Sequence, residues 1–217
     1  MKLNIIVSYI PLLLNGLEIT VELSVGALLL ATAIGMVVGL MRSLGVRWLY
    51  FLTVPYVEGL RAVPPLVVLF FAYYAIPILF GIDVPSFAAA VLALGVAGGA
   101  YMAEIVRGGV QAVNRGQWEA GYSLGMPYAR VVSTVILPQA IRVAVPPAIS
   151  LYVALIKDSS LVSAIGVVDL TAAGMNVRGV LFGQGTIIVF LLMGVFYFAI
   201  CYSVSQMGLW LERRSHV

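Results

Sequence analysis

A serine framed by two glycines, GYSLG at residues 121–125, has the spacing that seats a nucleophilic hydroxyl on a strand-to-helix elbow. Such a site needs an imidazole beside Ser123 and a carboxylate behind that imidazole. The 217-residue chain has one histidine, His216, at the far C-terminal end, and no strand pattern flanks the motif. A second hydroxyl cluster, KDSS at 157–160, raises a Ser–Lys dyad, but adjacent residues and residues two apart do not face one another on a helix. Cys201, the only cysteine, lies in an apolar run, which excludes an internal disulfide and a cysteine-based metal cluster. The reading is therefore no catalytic residue, no metal site and no enzyme.

Charges set into apolar sequence are the stronger candidates. YVEGLRAVPPL (56–66) places Glu58 and Arg61 three apart on one helix face, and AEIVRGG (103–109) repeats the spacing with Glu104 and Arg107. Asp158 is followed by Ser159 and Ser160. A charge near the centre of a membrane helix costs about 2.5–3.5 kcal/mol on insertion scales, while each large aliphatic residue returns only about 0.3–0.6. These groups must face protein or water. They suit an amino-acid zwitterion: Glu58 or Asp158 accepts from the ammonium, Arg61 or the hydroxyls of Ser159 and Ser160 donate to the carboxylate, and Tyr101 is an aromatic neighbour. In the alternative reading they only pair with one another to hold helices. Two acids against one arginine lean toward a cationic substrate, a lean that Lys157 would remove if it turned into the same cavity.

The elements that must position these groups follow from composition. The chain is 62% hydrophobic and 10% charged, with mean hydropathy +1.09, against about 45–50% apolar and about 25% charged in a soluble domain. Apolar runs predict five membrane-spanning helices, at about 16–41, 52–80, 85–108, 128–156 and 186–211. Pro64 and Pro65 remove two amide donors from the second, and Pro138, Pro146 and Pro147 predict a kinked or segmented fourth. GMVVG (35–39) and GVAGG (95–99) are small-residue faces for close helix packing. Glu18 and Glu22 read as headgroup-level solvation, and 167–185 as a short outer or half-inserted helix and loop.

Arg42, Arg47, Arg107, Arg115, Arg130, Arg213 and Arg214 fall in or beside cytoplasmic segments if the N-terminus lies outside, against Lys2 and Arg178 on the other face. The positive-inside rule then gives N-out, C-in. The net charge of +3 needs no nucleic acid, because the excess cations flank membrane spans. No cleavable signal peptide is read after Lys2, and no phosphate-binding G-x-x-x-x-G-K-[ST] loop is present. If ATP is used, another chain binds it.

With the spans placed, GYSLG lies in the cytoplasmic connection between spans three and four. The wider segment, RGQWEAGYSLGMPYARVVSTVILPQA (115–140), resembles the EAA motif of bacterial ABC-importer permeases: Glu119-Ala120, then Gly125, then Leu137-Pro138. Gly121 stands where the family usually has a second alanine, and Val135 where it often has isoleucine. The flanking AYMAEIVRGGVQAVNRGQWEAG, KDSSLVSAIGVVDL and YVEGLRAVPPL resemble the polar-amino-acid branch of these permeases.

The resemblance implies an all-α polytopic permease, one transmembrane domain over 1–217, in the bacterial inner membrane. It implies two ATPase subunits that bind ATP and Mg, a second permease copy and an extracytoplasmic amino-acid-binding protein. It also implies a coupling helix at about 117–124, docked in the ATPase through Trp118, Glu119, Ala120, Gly121, Tyr122, Leu124 and Gly125. On this reading Glu119 stabilises the start of that helix through its dipole, Tyr122 and Leu124 supply apolar contacts, and Gly125 permits the exit into span four. Basic amino acids are the leading substrate class and glutamine or another polar amino acid the second. An ion-coupled transporter is the competing class, for which an inverted repeat or pore signature would be expected. A structural scaffold would explain the glycine faces but not the intramembrane charges.

Overall fold

The computed structural model describes residues 8–43, 46–182 and 185–215, and among these it is helical with no strand. His216 and Lys2 lie outside the described residues. The most extensive helix pair is α1 (Ile10–Ser43) on α4 (Ser86–Gln111). Its cause is the two glycine faces. A Cβ added at Gly35 would lie 2.3 Å from Met102 Cβ, and one at Gly39 only 2.6 Å from the Ala103 carbonyl oxygen. Reciprocally, Gly95 and Gly99 of α4 would meet Leu30 and Ile34 of α1. GxxxG spacing thus finds its partner, and a core of Leu23, Ala27, Ala31, Ala90, Ala93 and Leu94 forms along the same seam.

The expected single span 52–80 is two helices. α2 (Arg47–Ala62) and α3 (Pro65–Phe80) meet at 109°. Val63 and Pro64 between them are extended, at φ −99, ψ 133 and φ −58, ψ 139. A residue before proline is driven out of the α region by the ring, and here two such positions fall in succession. Glu58 and Arg61 therefore sit near the end of α2 beside a sharp bend, not at the centre of a straight span. Among the described residues, four helices are long and apolar enough to cross a membrane: α1, α4, Tyr128–Ile165 (α6) and Thr186–Ser215 (α8, apolar over Thr186–Trp210), or five spans if the bent pair counts as one.

Two of the remaining prolines are accommodated within continuous helices. Phe71–Ala75 of α3 and Val132–Ile136 of α6 are π-turns, in which Ile76 N–H bonds Phe71 O and Leu137 N–H bonds Val132 O. Pro77 and Pro138 follow directly. Each lacks an N–H and would clash with the carbonyl four residues back, and the wider π-turn removes the clash. Pro146 and Pro147 lie inside the regular part of α6, Leu137–Asp158. At its end α6 tightens to a 3₁₀ helix, Ser159–Ile165, closed by left-handed Gly166.

The expected outer element is α7 (Leu170–Val180). Buried Asp169 caps it, accepting from Ala172 N–H at 2.9 Å and from Tyr197 Oη of α8 at 3.2 Å. Thr20 of α1 accepts from Leu170 N–H at 3.0 Å. Burial pushes the Asp169 carboxyl up, against the opposing pull of the Ala172 amide. Glu18 and Glu22 are exposed on α1.

Candidate functional site

A groove of about 410 Å³ runs between the bend, α4 and α6, lined by Arg61, Tyr101, Glu104, Ile105, Gly108, Gly109, Val143, Pro147 and Leu151. A second cavity of about 270 Å³, lined by Pro65, Leu94, Ala97, Gly98, Tyr101, Leu151, Ala154, Leu155 and Asp158, adjoins it. Tyr101 and Leu151 belong to both walls. Glycines and alanines of α4 keep this wall low, while Pro64 and Pro65 turn α3 away and bring Arg61 to its rim. Tyr101 Oη donates to the Arg61 carbonyl at 3.2 Å, and the Arg61 guanidinium lies 5.6 Å from the centre of the Tyr101 ring. Arg61, Tyr101 and Asp158, predicted separately, are thus brought to one continuous surface. Asp158 has no ion-pair partner among the described residues.

Glu58 lies outside both linings and is engaged by two arginines. Arg42 Nη2 donates to Glu58 Oε1 at 3.1 Å, while Arg61 Nη1 stands 3.6 Å from Glu58 Oε2. Arg42 Nη2 is also 3.6 Å from Glu104 Oε2, and Glu104 Oε1 pairs with Arg107. Charges therefore alternate Arg61, Glu58, Arg42, Glu104, Arg107 across α2, α1 and α4. Reading by sequence missed Arg42, which looked like a flanking cation. A signal existed: Gly35, Gly39 and Arg42 follow i, i+4, i+7, so the arginine ends the stripe that packs on α4.

The two serines are not brought to the groove. Ser159 is fully buried and donates its hydroxyl to Ile156 O at 2.7 Å. Ser160 is partly buried and lines neither cavity. Successive residues do not share a helix face, so neither serine follows Asp158 to the cavity. Lys157 also lines neither cavity and interacts electrostatically with Cys201 of α8.

The loop between α4 and α6 carries α5, Arg115–Ser123, slightly earlier than the predicted 117–124. Its N-cap is Asn114, whose side chain accepts from Gly116 N–H at 2.8 Å. Glu119 is therefore beyond the first turn, which contains no acid, and cannot serve the start of the helix as expected. The C-terminus is a Schellman motif: Met126 N–H bonds Gly121 O at 3.2 Å, Gly125 N–H bonds Tyr122 O at 2.9 Å, and Gly125 has φ +71.

Gly121 is buried against Val131, whose Cγ2 lies 2.9 Å from where a Cβ would stand, so Val131 fills the volume of the alanine usual there. Trp118 stacks on Tyr128 at 6.1 Å beside Val113, Val131 and Ile136. Ala120 and Tyr122 are exposed, and Leu124 is 80% exposed. Ser123 donates its hydroxyl to Glu119 O at 2.9 Å, the bond of an ordinary helical serine.

Comparison with known proteins agrees with this architecture. Residues 31–217 match the family described as binding-protein-dependent transport system inner membrane component. The chain is 34% identical over 207 residues to the L-cystine transport system permease protein TcyB of Bacillus subtilis (strain 168), covering 95% of this chain and 88% of that one. It is 34% identical over 209 residues to the glutamine transport system permease protein GlnP of Escherichia coli (strain K12), covering 96% and 94%. Among solved structures, the crystal structure of an amino acid ABC transporter with histidines superposes with TM-score 0.88 at 33% identity, over 96% of each chain. This chain therefore belongs to the binding-protein-dependent transport system inner membrane component family, as an ABC-importer permease of the polar amino-acid uptake type.

Proposed function

We propose that this chain provides the membrane path for a basic amino acid and couples it to two ATPase subunits docked on α5. The observation that carries the substrate class is the adjoining pair of cavities. Arg61 stands at one end and an unpaired Asp158 at the other, with Tyr101 between them. Arg61 receives the α-carboxylate, Asp158 receives a cationic group, and Tyr101 is the shared wall. Glu58 is hydrogen-bonded to Arg42 and is not a substrate ligand, and Ser159 and Ser160 shape the end of α6. Lys157 lies outside both cavities, and with Glu58 drawn off by Arg42 the lean toward arginine, lysine or histidine rests on Asp158 alone. Glutamine transport is the second reading, supported by the 34% identity to a glutamine permease.

The remaining assembly follows the family. Five spans make only one wall, so a second permease copy completes the path, as a homodimer or with a paralogue. An extracytoplasmic binding protein delivers substrate, ATP and Mg are held by the ATPases, and the chain sits in the inner membrane with its N-terminus outside and C-terminus inside. The test is equilibrium binding of labelled arginine and of glutamine to the purified permease–ATPase complex. Asp158→Asn is expected to weaken arginine at least tenfold, the scale of one charge-assisted hydrogen bond, and to change glutamine by less than about threefold. Equal binding of arginine by parent and variant overturns the basic-substrate reading.

A further inference from the structure

Arg42 is a buried charge to which the groove gives no task. Only 2% of its side chain is exposed, yet its Nε and Nη1 have no hydrogen-bond partner among the described residues. Burying an arginine this deeply is unfavourable unless its hydrogen bonds are satisfied, and beyond Glu58 it has only Glu104 Oε2 at 3.6 Å and the Tyr50 ring at 5.0 Å beside it. What it does accomplish is asymmetric. Glu58 is hydrogen-bonded to Arg42 at 3.1 Å but stands 3.6 Å from Arg61, beyond hydrogen-bond length. The Glu58 side chain is 55% exposed and one helical turn from Arg61, free to close on it if nothing else held it.

We propose that Arg42 is a positioning residue for substrate binding: it holds the Glu58 carboxylate back, and so leaves the Arg61 guanidinium available to the α-carboxylate of the amino acid. This rests on Arg61 being the carboxylate donor. Without Arg42, Glu58 has Arg61 as its remaining partner and competes with the substrate for the same fork of N–H groups.

The experiment measures binding of arginine and of argininamide, which lacks the carboxylate, to the purified permease–ATPase complex. Arg42→Gln is expected to weaken arginine about tenfold and to leave argininamide within about twofold. Adding Glu58→Gln to the same chain is expected to restore arginine binding, because the competitor is gone; Glu58→Gln alone should bind arginine at least as well as the parent. Arg61→Gln must weaken arginine and spare argininamide; no effect there defeats the Arg61 reading and this proposal together. With Arg61→Gln behaving as expected, the proposal alone is overturned if Arg42→Gln weakens both ligands alike, or if the double variant fails to recover. Should Arg42→Gln not assemble, the charge-balanced double variant decides: parental arginine binding supports the proposal, and loss refutes it.

Discussion

Two short helices outside the spans, α5 and α7, begin alike and end differently. Both are capped by an Asx side chain, Asn114 and Asp169, and both pack one face on long helices. α7 is locked: its cap is buried, Tyr197 and Thr20 bind its first turn, and Leu170, Ala173 and Val177 are fully covered. α5 keeps only Gly121 buried and turns Tyr122 and Leu124 outward. The apolar groups of α7 are turned inward and make it a strut, whereas those of α5 are left uncovered. α7 therefore braces α1 against α8, while α5 leaves Tyr122 and Leu124 uncovered, as the proposed ATPase docking requires.

The largest expected effect breaks the strut. A Cβ at Gly16 would lie 2.7 Å from Ala173 Cβ and 2.8 Å from the Asp169 carbonyl oxygen, neither able to yield. Gly16→Val should cost about 1–3 kcal/mol or more and lower the thermal midpoint of the detergent-solubilised complex. An unchanged midpoint would mean that α7 is not clamped.

Next comes the exit from α5. Gly125 has open space around its Cβ position but φ +71, so Gly125→Val is strained by about 1–2 kcal/mol, whereas Gly125→Asn should be tolerated. The valine variant should insert normally yet lose transport; equal transport by both variants would show that the turn is not needed.

A smaller effect separates the two caps by pH. Burial raises the folded pKa of Asp169, so its contribution to stability is fully present below the unfolded carboxylate pKa and is lost as pH rises through the folded value. Asp169→Asn keeps a capping oxygen and should flatten the midpoint over that interval; an unaltered slope would assign the pH dependence elsewhere. Smallest of all, Ser123→Ala removes one bond to Glu119 O and should retain most transport, whereas a nucleophile would lose everything.

Much of this was legible in the chain. Long apolar runs gave the spanning helices, glycine spacing marked two close-packing faces without showing that they pair, and RGQWEAGYSLG gave α5 and its turn. The 109° bend was not, because hydropathy counts apolar residues and is blind to direction; the Pro64–Pro65 pair signalled lost donors but no angle. Glu58 looked like a ligand because its partner across the fold, Arg42, is 16 residues away in another helix. Ser159 looked like one because charges and hydroxyls at a helix break suggested a polar cavity, but neighbouring positions do not share a helix face and its hydroxyl is donated to Ile156 O. Helix-to-helix pairing is a tertiary outcome, and it decides which of several plausible charges faces a cavity.

The central claim is that the path in this chain is driven through α5. Its most direct measurement is arginine-stimulated ATP hydrolysis by the permease carrying Leu124→Glu, reconstituted with the ATPase subunits and binding protein, beside the parent. Leu124 is uncovered in this chain and buries nothing of its own fold, so the variant should insert and pair normally. Placing a carboxylate in an apolar socket should abolish stimulation and loosen the ATPase during purification. Full stimulation with the ATPase still bound would contradict the account.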